Sequence, residues 1–277
     1  MAGRSGVLGR RIVVVPVVAV LIAAPYPGKH VGMTQSISGR PTSVWMDTAP
    51  HTTYPALGAS LRVDVCVVGG GMLGLMTADL LKRAGRTVAV LEADRVATGV
   101  TGYTTAKVTA LHGLVYDQIR SKFGEDGARH YAEANSAGLE LIAERAAGIE
   151  CDFRRRPAFT YSEDDGELDT LQAEVDAAKA AGLRTELVTD VDLPWPVAGA
   201  VRLPDQAEFH PRRFLLAIAD EIHGDGSTIA ERTRATGVHD GEECRVETDT
   251  GAEVTAGAVV IATHYPTLDR GLFFARL

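Results

Sequence analysis

From about position 61 the polarity of the chain alternates between short apolar runs and amphipathic stretches. "VDVCVV" (63–68) is apolar and β-branched, the pattern of a parallel strand buried on both faces. "MLGLMTADLLKRAG" (72–85) has helical spacing, with Leu73, Met76, Leu80 and Leu81 on one face and Gly85 where a helix end favours a left-handed residue. "TVAVLE" (87–92) is a second apolar strand. A loop follows with two glycines and five threonines between positions 98 and 109, then a long, mostly helical stretch over 114–148. Residues 148–162 read as a strand, 164–183 as an amphipathic helix, and 184–211 as an extended, proline-rich segment. Pro211 suits the first turn of a helix over 211–226. A strand, a meander with turns at "HDGE" and "DTGA", and a last apolar strand ending near His264 complete the pattern.

Strand, helix, strand in this order predicts a βαβ unit. Between its first strand and helix, Gly69, Gly71 and Gly74 fit G-x-G-x-x-G. In such a turn the first glycine permits the tight bend, the second lets backbone approach a pyrophosphate, and the third lets helix and strand pack closely. The helix start, at Met72 and Leu73, offers N–H groups and partial positive charge to phosphates. Glu92 follows Gly69 by 23 positions, near the spacing of an acid that accepts from a ribose hydroxyl. An acid there disfavours a 2′-phosphate, so the cofactor is FAD or NAD rather than NADP. The Thr-rich loop in place of further short βα units favours FAD, contacted by Ala93, Thr98, Gly99, Thr104 and Thr105 and, after the last strand, by Ala262 and Thr263.

The stretches "VDVCVVGGGMLGL", "VLEADRVATGVTGYTTAKVTALHG", "CDFRRRPAFTYS", "LPDQAEFHP" and "VVIATHYPTLDRGLFFARL" together resemble the FAD-dependent oxidoreductases of the glycine oxidase and D-amino-acid oxidase type. They resemble in particular bacterial members that carry an iron–sulfur Rieske domain after the flavoprotein part. The resemblance spans about Val63 to the C-terminus, and "TGYTTAKVTALHG" and "PDQAEFHP" are its most specific parts. It implies an α/β fold: a Rossmann-like FAD-binding parallel sheet with a β-meander, plus a partial mixed α+β substrate domain. It implies an amine or amino-acid substrate, losing hydride to the flavin to leave an imine that water hydrolyses. Family members run on beyond this point, so the expectation is the N-terminal part of a longer enzyme, inactive by itself. The alternatives are a non-catalytic flavin-binding remnant and an NAD-dependent dehydrogenase.

The expected domains are a signal-like or spurious extension (1–32), a polar arm (33–62), a discontinuous FAD-binding domain (63–150 and 205–277) and a partial cap domain (151–204). Four side chains are weak catalytic candidates: Lys107, one of only five lysines; His112; Arg155, the middle of three consecutive arginines, as a substrate-carboxylate clamp; and Tyr161. His210, just before Pro211, is expected to order the helix entry, and His264 and Tyr265 to approach the cofactor through backbone.

Composition narrows the partners. A net charge of −8 argues against nucleic acid. Three scattered cysteines suit a reducing compartment and lack the paired Cys/His spacing of a Rieske cluster, so no metal site is expected. The apolar run 12–24 is short for a membrane span. A cytoplasmic location is expected, with export through a weak signal-like N-terminus as the alternative.

Overall fold

The computed structural model describes residues 39–264 and the backbone of Ile12–Val14. The leader reading of 1–32, Met33 and Tyr265 otherwise lie outside the described residues. The elements in chain order are β1 (Ile12–Val14), α1 (Val44–Asp47), β2 (Leu61–Val68), α2 (Met72–Arg83), β3 (Val88–Leu91), a 3-10 turn (Val100–Tyr103), β4 (Lys107–Val108), α3 (Tyr116–Ala146), β5 (Arg154–Ser162), α4 (Leu168–Ala180), β6 (Glu186–Val188), β7 (Gly199–Glu208), α5 (Pro211–Ile222), β8 (Thr228–Ala230), β9 (Ala235–His239), β10 (Cys244–Thr248) and β11 (Glu253–Ile261). They form two compact units, one made of the chain up to Tyr103 and again from Leu215, the other of Thr104–Phe214.

The first unit is built on a sheet of order β8-β3-β2-β11-β10-β9, with β1 also on β11. Strands β8, β3, β2, β11 and β1 are mutually parallel, and β9–β10–β11 form the antiparallel meander. The last apolar strand thus returns beside the first: Val259–Ile261 pair with Cys66–Val68. Val67, Val88, Ala89 and Val90 are fully buried, as their unbroken apolar runs require.

Helix α2 departs from the expected face. It buries Gly74, Leu75, Ala78 and Asp79, whereas Leu73 and Met76 are half-buried and Leu80 is 45% exposed. The reason is a close approach of backbone. A Cβ on Gly74 would lie 1.9 Å from the Gly69 carbonyl oxygen, so the helix must turn its smallest residues toward the sheet. Its end follows expectation: Gly85 has φ +77°, and the Gly85 and Arg86 N–H groups donate to the Lys82 and Leu81 carbonyls.

The second unit has a sheet of order β4-β7-β5, with β6 also on β7. Leu171 and Val175 of α4 pack with Val201 and Leu203 of β7. Helices α3 and α4 meet through alanines, Ala128 and Ala132 against Ala177, Ala178 and Ala181. Gly124, at φ 74° and ψ 179°, breaks α3 near its start. The fully buried Glu174 ties the two helices together. Its carboxylate accepts the Val115 and Tyr116 N–H groups at 2.8 Å each and that of Asp117 at 2.9 Å, capping α3.

The unit boundaries therefore differ from the pattern-based ones at 150/151 and 204/205. Helix α3 joins the second unit because its cap and packing partner is α4, and β4 joins it because Lys107 and Val108 pair with Glu208 and Ala207. Pro211 opens α5 as expected, and the division falls inside that helix.

Candidate functional site

In the first unit the turn after β2 is held from three sides. Gly69 has φ +111°, and a Cβ there would lie 2.4 Å from the Ala262 carbonyl oxygen, so only glycine fits. Gly69 N–H donates to the Leu91 carbonyl and Ala262 N–H to that of Val68, both at 2.8 Å. Ala262 and Thr263, expected at the cofactor, therefore stand beside the turn. Gly70 N–H donates to Glu92 Oε2 at 2.7 Å, and the Asp94 N–H to Glu92 Oε1 at 3.0 Å. The strand-end acid and the glycine turn are thus in direct contact.

Gly71 caps α2 without a side chain, and Met72 N–H donates to Thr101 Oγ1 at 3.1 Å. The Thr98 hydroxyl is turned into its own loop, donating to the Arg95 carbonyl at 2.7 Å, and the Gly99 carbonyl accepts from Gly102 N–H. Sequence reasoning singled out this loop but not Thr101, which its position among the threonines would have suggested. Nor did it find Val96 or Glu231. A Cβ on Gly70 would lie 2.8 Å from Val96 Cγ1. The Val96 N–H donates to Oε1 of the fully buried Glu231 at 3.0 Å, and Thr52 of the N-terminal arm bonds the same oxygen. Nothing local in the sequence marks Glu231.

This cradle fits a dinucleotide. Gly69, Gly70 and Gly74 leave no room for a side chain, the start of α2 suits an anion, and the Glu92 carboxylate stands beside the turn just after β3. The second glycine of the motif has space, with Thr101 Oγ1 3.4 Å from a Cβ placed on Gly71.

In the second unit only Lys107 and Val108 of this stretch are strand, and Ala106 has φ 61°; Thr105, Lys107 and Thr109 nevertheless come to one place. With His112, Phe159 and Tyr161 they line an open cavity of about 420 Å³. The structure thus gathers Thr105 and three of the four catalytic candidates, Lys107, His112 and Tyr161, in one place. Thr104 is not among the lining residues; its hydroxyl accepts from Ala106 N–H at 3.3 Å. Phe159 and Tyr161, 39% and 41% exposed, present aromatic surface to the cavity. The loop is fixed from behind. Gln206 Oε1 accepts the Ala110 N–H at 2.7 Å, and the buried Tyr116 hydroxyl donates to the Ala110 carbonyl at 2.8 Å. The two most specific stretches of the sequence, around "TAKVTALHG" and "PDQAEFHP", are therefore bonded to each other.

His112 Nδ1 lies 2.9 Å from the Tyr131 hydroxyl. Desolvation, with the Lys107 charge next, holds the imidazole below its ordinary pKa, and burial raises that of the Tyr131 phenol.

Arg155 is elsewhere. Its guanidinium bonds Glu140 Oε2 at 2.7 Å and the Asp205 carbonyl at 2.9 Å, while Arg154 and Arg156 both face Glu208. Arg155 is not among the residues that line the cavity, although it shares odd spacing with Phe159 and Tyr161; the pairing of β5 with β7 is irregular between Arg156 and Ala158, and the guanidinium is engaged by Glu140 and the Asp205 carbonyl. His210 sits at the entry of α5, where Nδ1 accepts the Arg213 N–H at 3.2 Å and its own N–H donates to the Cys151 carbonyl. Among the described residues no group of three or more His, Cys, Asp or Glu side chains could hold a metal ion, and no helix is long and apolar enough to cross a membrane.

Sheet, glycine turn and strand-end acid define a dinucleotide-binding protein of the Rossmann class. The profile of the FAD dependent oxidoreductase family, DAO, matches residues 64–274. The chain belongs to that family, and its cofactor is FAD. It is 31% identical over 240 residues to a Bacillus subtilis protein named for a Rieske 2Fe-2S iron–sulfur centre, covering 86% of this chain and 47% of that one. It is 29% identical over 225 residues to gamma-glutamylputrescine oxidoreductase of Escherichia coli, covering 76% and 51%. Glycine oxidase of Geobacillus kaustophilus shares the fold, with a TM-score of 0.57 at 22% identity over 73% of this chain and 55% of that one. The chain spans about half the length of the curated relatives it matches.

Proposed function

We propose that this chain supplies the FAD-binding part of an oxidoreductase that oxidises an amine or an amino acid at the carbon bearing nitrogen. The observation that carries the reading is the bond between Glu92 and Gly70 inside a turn where Gly69 and Gly74 admit no side chain. Glu92 is the acceptor for ribose hydroxyls. Backbone from Gly71, Met72, Leu73, Ala93, Thr98 and Gly99 encloses the phosphates and adenosine, and Ala262 and Thr263 close the other side. When bound, the flavin accepts hydride from a substrate C–H. In the second unit, the cavity of Thr105, Lys107, His112 and Tyr161 supplies polar and aromatic groups for the substrate. The substrate class is supported by the names of two similar proteins, gamma-glutamylputrescine oxidoreductase and glycine oxidase.

The test is titration of the purified chain with FAD and with NAD, followed by anaerobic addition of amines and amino acids. Quenching of flavin fluorescence with FAD alone, and bleaching of the bound flavin by an amine, is the expected result. Preference for NAD overturns the cofactor assignment. Flavin binding with no bleaching by any amine supports the non-catalytic reading instead.

A further inference from the structure

Three features of the second unit meet at one point. Tyr116, Tyr131 and His112 form an aromatic series, each ring edge-on to the next, with centroids 5.6 Å and 6.0 Å apart. The series ends on the Tyr131 hydroxyl and His112 Nδ1, 2.9 Å apart. Lys107 lines the same cavity as His112 and makes no ion pair within this unit. Thr105, Thr109 and Tyr161 add hydroxyls, and none of the lining residues is an acid.

We infer that this cavity is a carboxylate subsite, in which the Lys107 ammonium and the His112 Nε2–H are the donors and Tyr131 fixes the His112 tautomer. A phenol bonded to an imidazole nitrogen admits two proton arrangements. Burial keeps the Tyr131 phenol protonated, and desolvation with the Lys107 charge keeps His112 neutral. Among the described residues the Tyr131 hydroxyl has no acceptor besides His112 Nδ1, so its O–H donates to Nδ1 and the single imidazole proton resides on Nε2. The series through the fully buried Tyr116, whose own hydroxyl is anchored on the Ala110 carbonyl, limits rotation of Tyr131. His112 is thus a neutral donor rather than a base. A cation beside a neutral donor, with no acid in the lining, selects an anionic acceptor. Of the substrates open to the proposed function, the geometry favours an amine that carries a carboxylate over a simple polyamine. Tyr131 is a positioning residue; Lys107 and His112 touch the ligand.

The inference rests on the amine-oxidoreductase reading for the identity of the ligand, but its test needs no turnover. The full-length chain, with and without saturating FAD, is labelled with ¹⁵N, and the His112 signals are assigned by comparison with His112→Asn. Wild type is expected to show Nε2 protonated and Nδ1 as acceptor. Tyr131→Phe should give mixed tautomers, whereas Tyr116→Phe should leave the tautomer unchanged. Titration with propionate should move the His112 Nε2–H signal, and propylammonium should not. Lys107→Met should weaken propionate binding about tenfold or more, the loss of one hydrogen bond to a charged group, and Lys107→Arg should largely restore it. A proton on Nδ1 in wild type, or a His112 signal insensitive to propionate, overturns the inference. Propionate binding abolished by FAD assigns the donors to a flavin oxygen and overturns the carboxylate assignment. Failure of any amine to bleach the flavin affects only the proposed function.

Discussion

Glu92 Oε2 accepts the Gly70 N–H at 2.7 Å, so the acid at the end of β3 and the turn after β2 form one unit before any ligand arrives. The same carboxylate accepts the Asp94 N–H through its other oxygen. A carboxylate has lone pairs to spare for ribose hydroxyls; a carboxamide would aim its NH₂ at one of these N–H donors. Glu92→Gln is therefore expected to weaken FAD binding by about 1.5–3 kcal/mol, the range for hydrogen bonds to a charged group. Flavin-fluorescence titration of the two proteins measures it, and unchanged affinity would remove Glu92 from the ribose site.

Two glycines of the first unit separate a steric requirement from a conformational one. A Cβ at position 74 would lie 1.9 Å from the Gly69 oxygen, whereas one at Gly85, φ +77°, meets nothing within 4 Å. Gly74→Ala must push α2 away from the turn, and loss of measurable FAD binding is expected. Gly85→Ala should lower stability by about 1–2 kcal/mol, the penalty of a left-handed non-glycine residue, with FAD affinity intact. Chemical denaturation alongside FAD titration distinguishes the two.

Glu174 caps α3 with three N–H···O bonds from a fully buried position. Glu174→Ala leaves those N–H groups without their acceptor and should destabilise the second unit by about 2–3 kcal/mol. Glu174→Gln retains one oxygen and should lose less. Urea unfolding followed by far-UV circular dichroism reports both.

The pH dependence follows from two histidines held below their ordinary pKa of 6.5. For His112 the causes are desolvation and then Lys107; for His210 they are desolvation and then Arg213. The unfolded chain takes up these protons more readily than the folded one. The stabilisation is therefore present above about pH 6.5 and is lost as pH falls through the folded-state values. Unfolding midpoints should fall between pH 7 and pH 5. His210→Gln should flatten that slope, and a slope unchanged by it would remove His210 from the effect.

What the sequence determined by itself was local and periodic. The glycine turn, the acid at the end of β3, the left-handed Gly85, Pro211 at the start of α5 and the meander turns are each specified by neighbours within a few residues. Turn geometry and strand or helix period act over that range. The parallel return of β11 beside β2 also followed, since an apolar strand must be buried on both faces. What only the tertiary structure decided were relations between residues far apart in sequence. The rotation of α2 obeys the Gly69 carbonyl rather than its own leucines. Arg155 is drawn to Glu140 on α3 and away from the cavity. Thr101, Glu231 and Tyr131 gain their partners across 29, 135 and 19 residues, respectively. No periodic pattern encodes such pairs, because they depend on how closely two backbones pack and which side chain then reaches across.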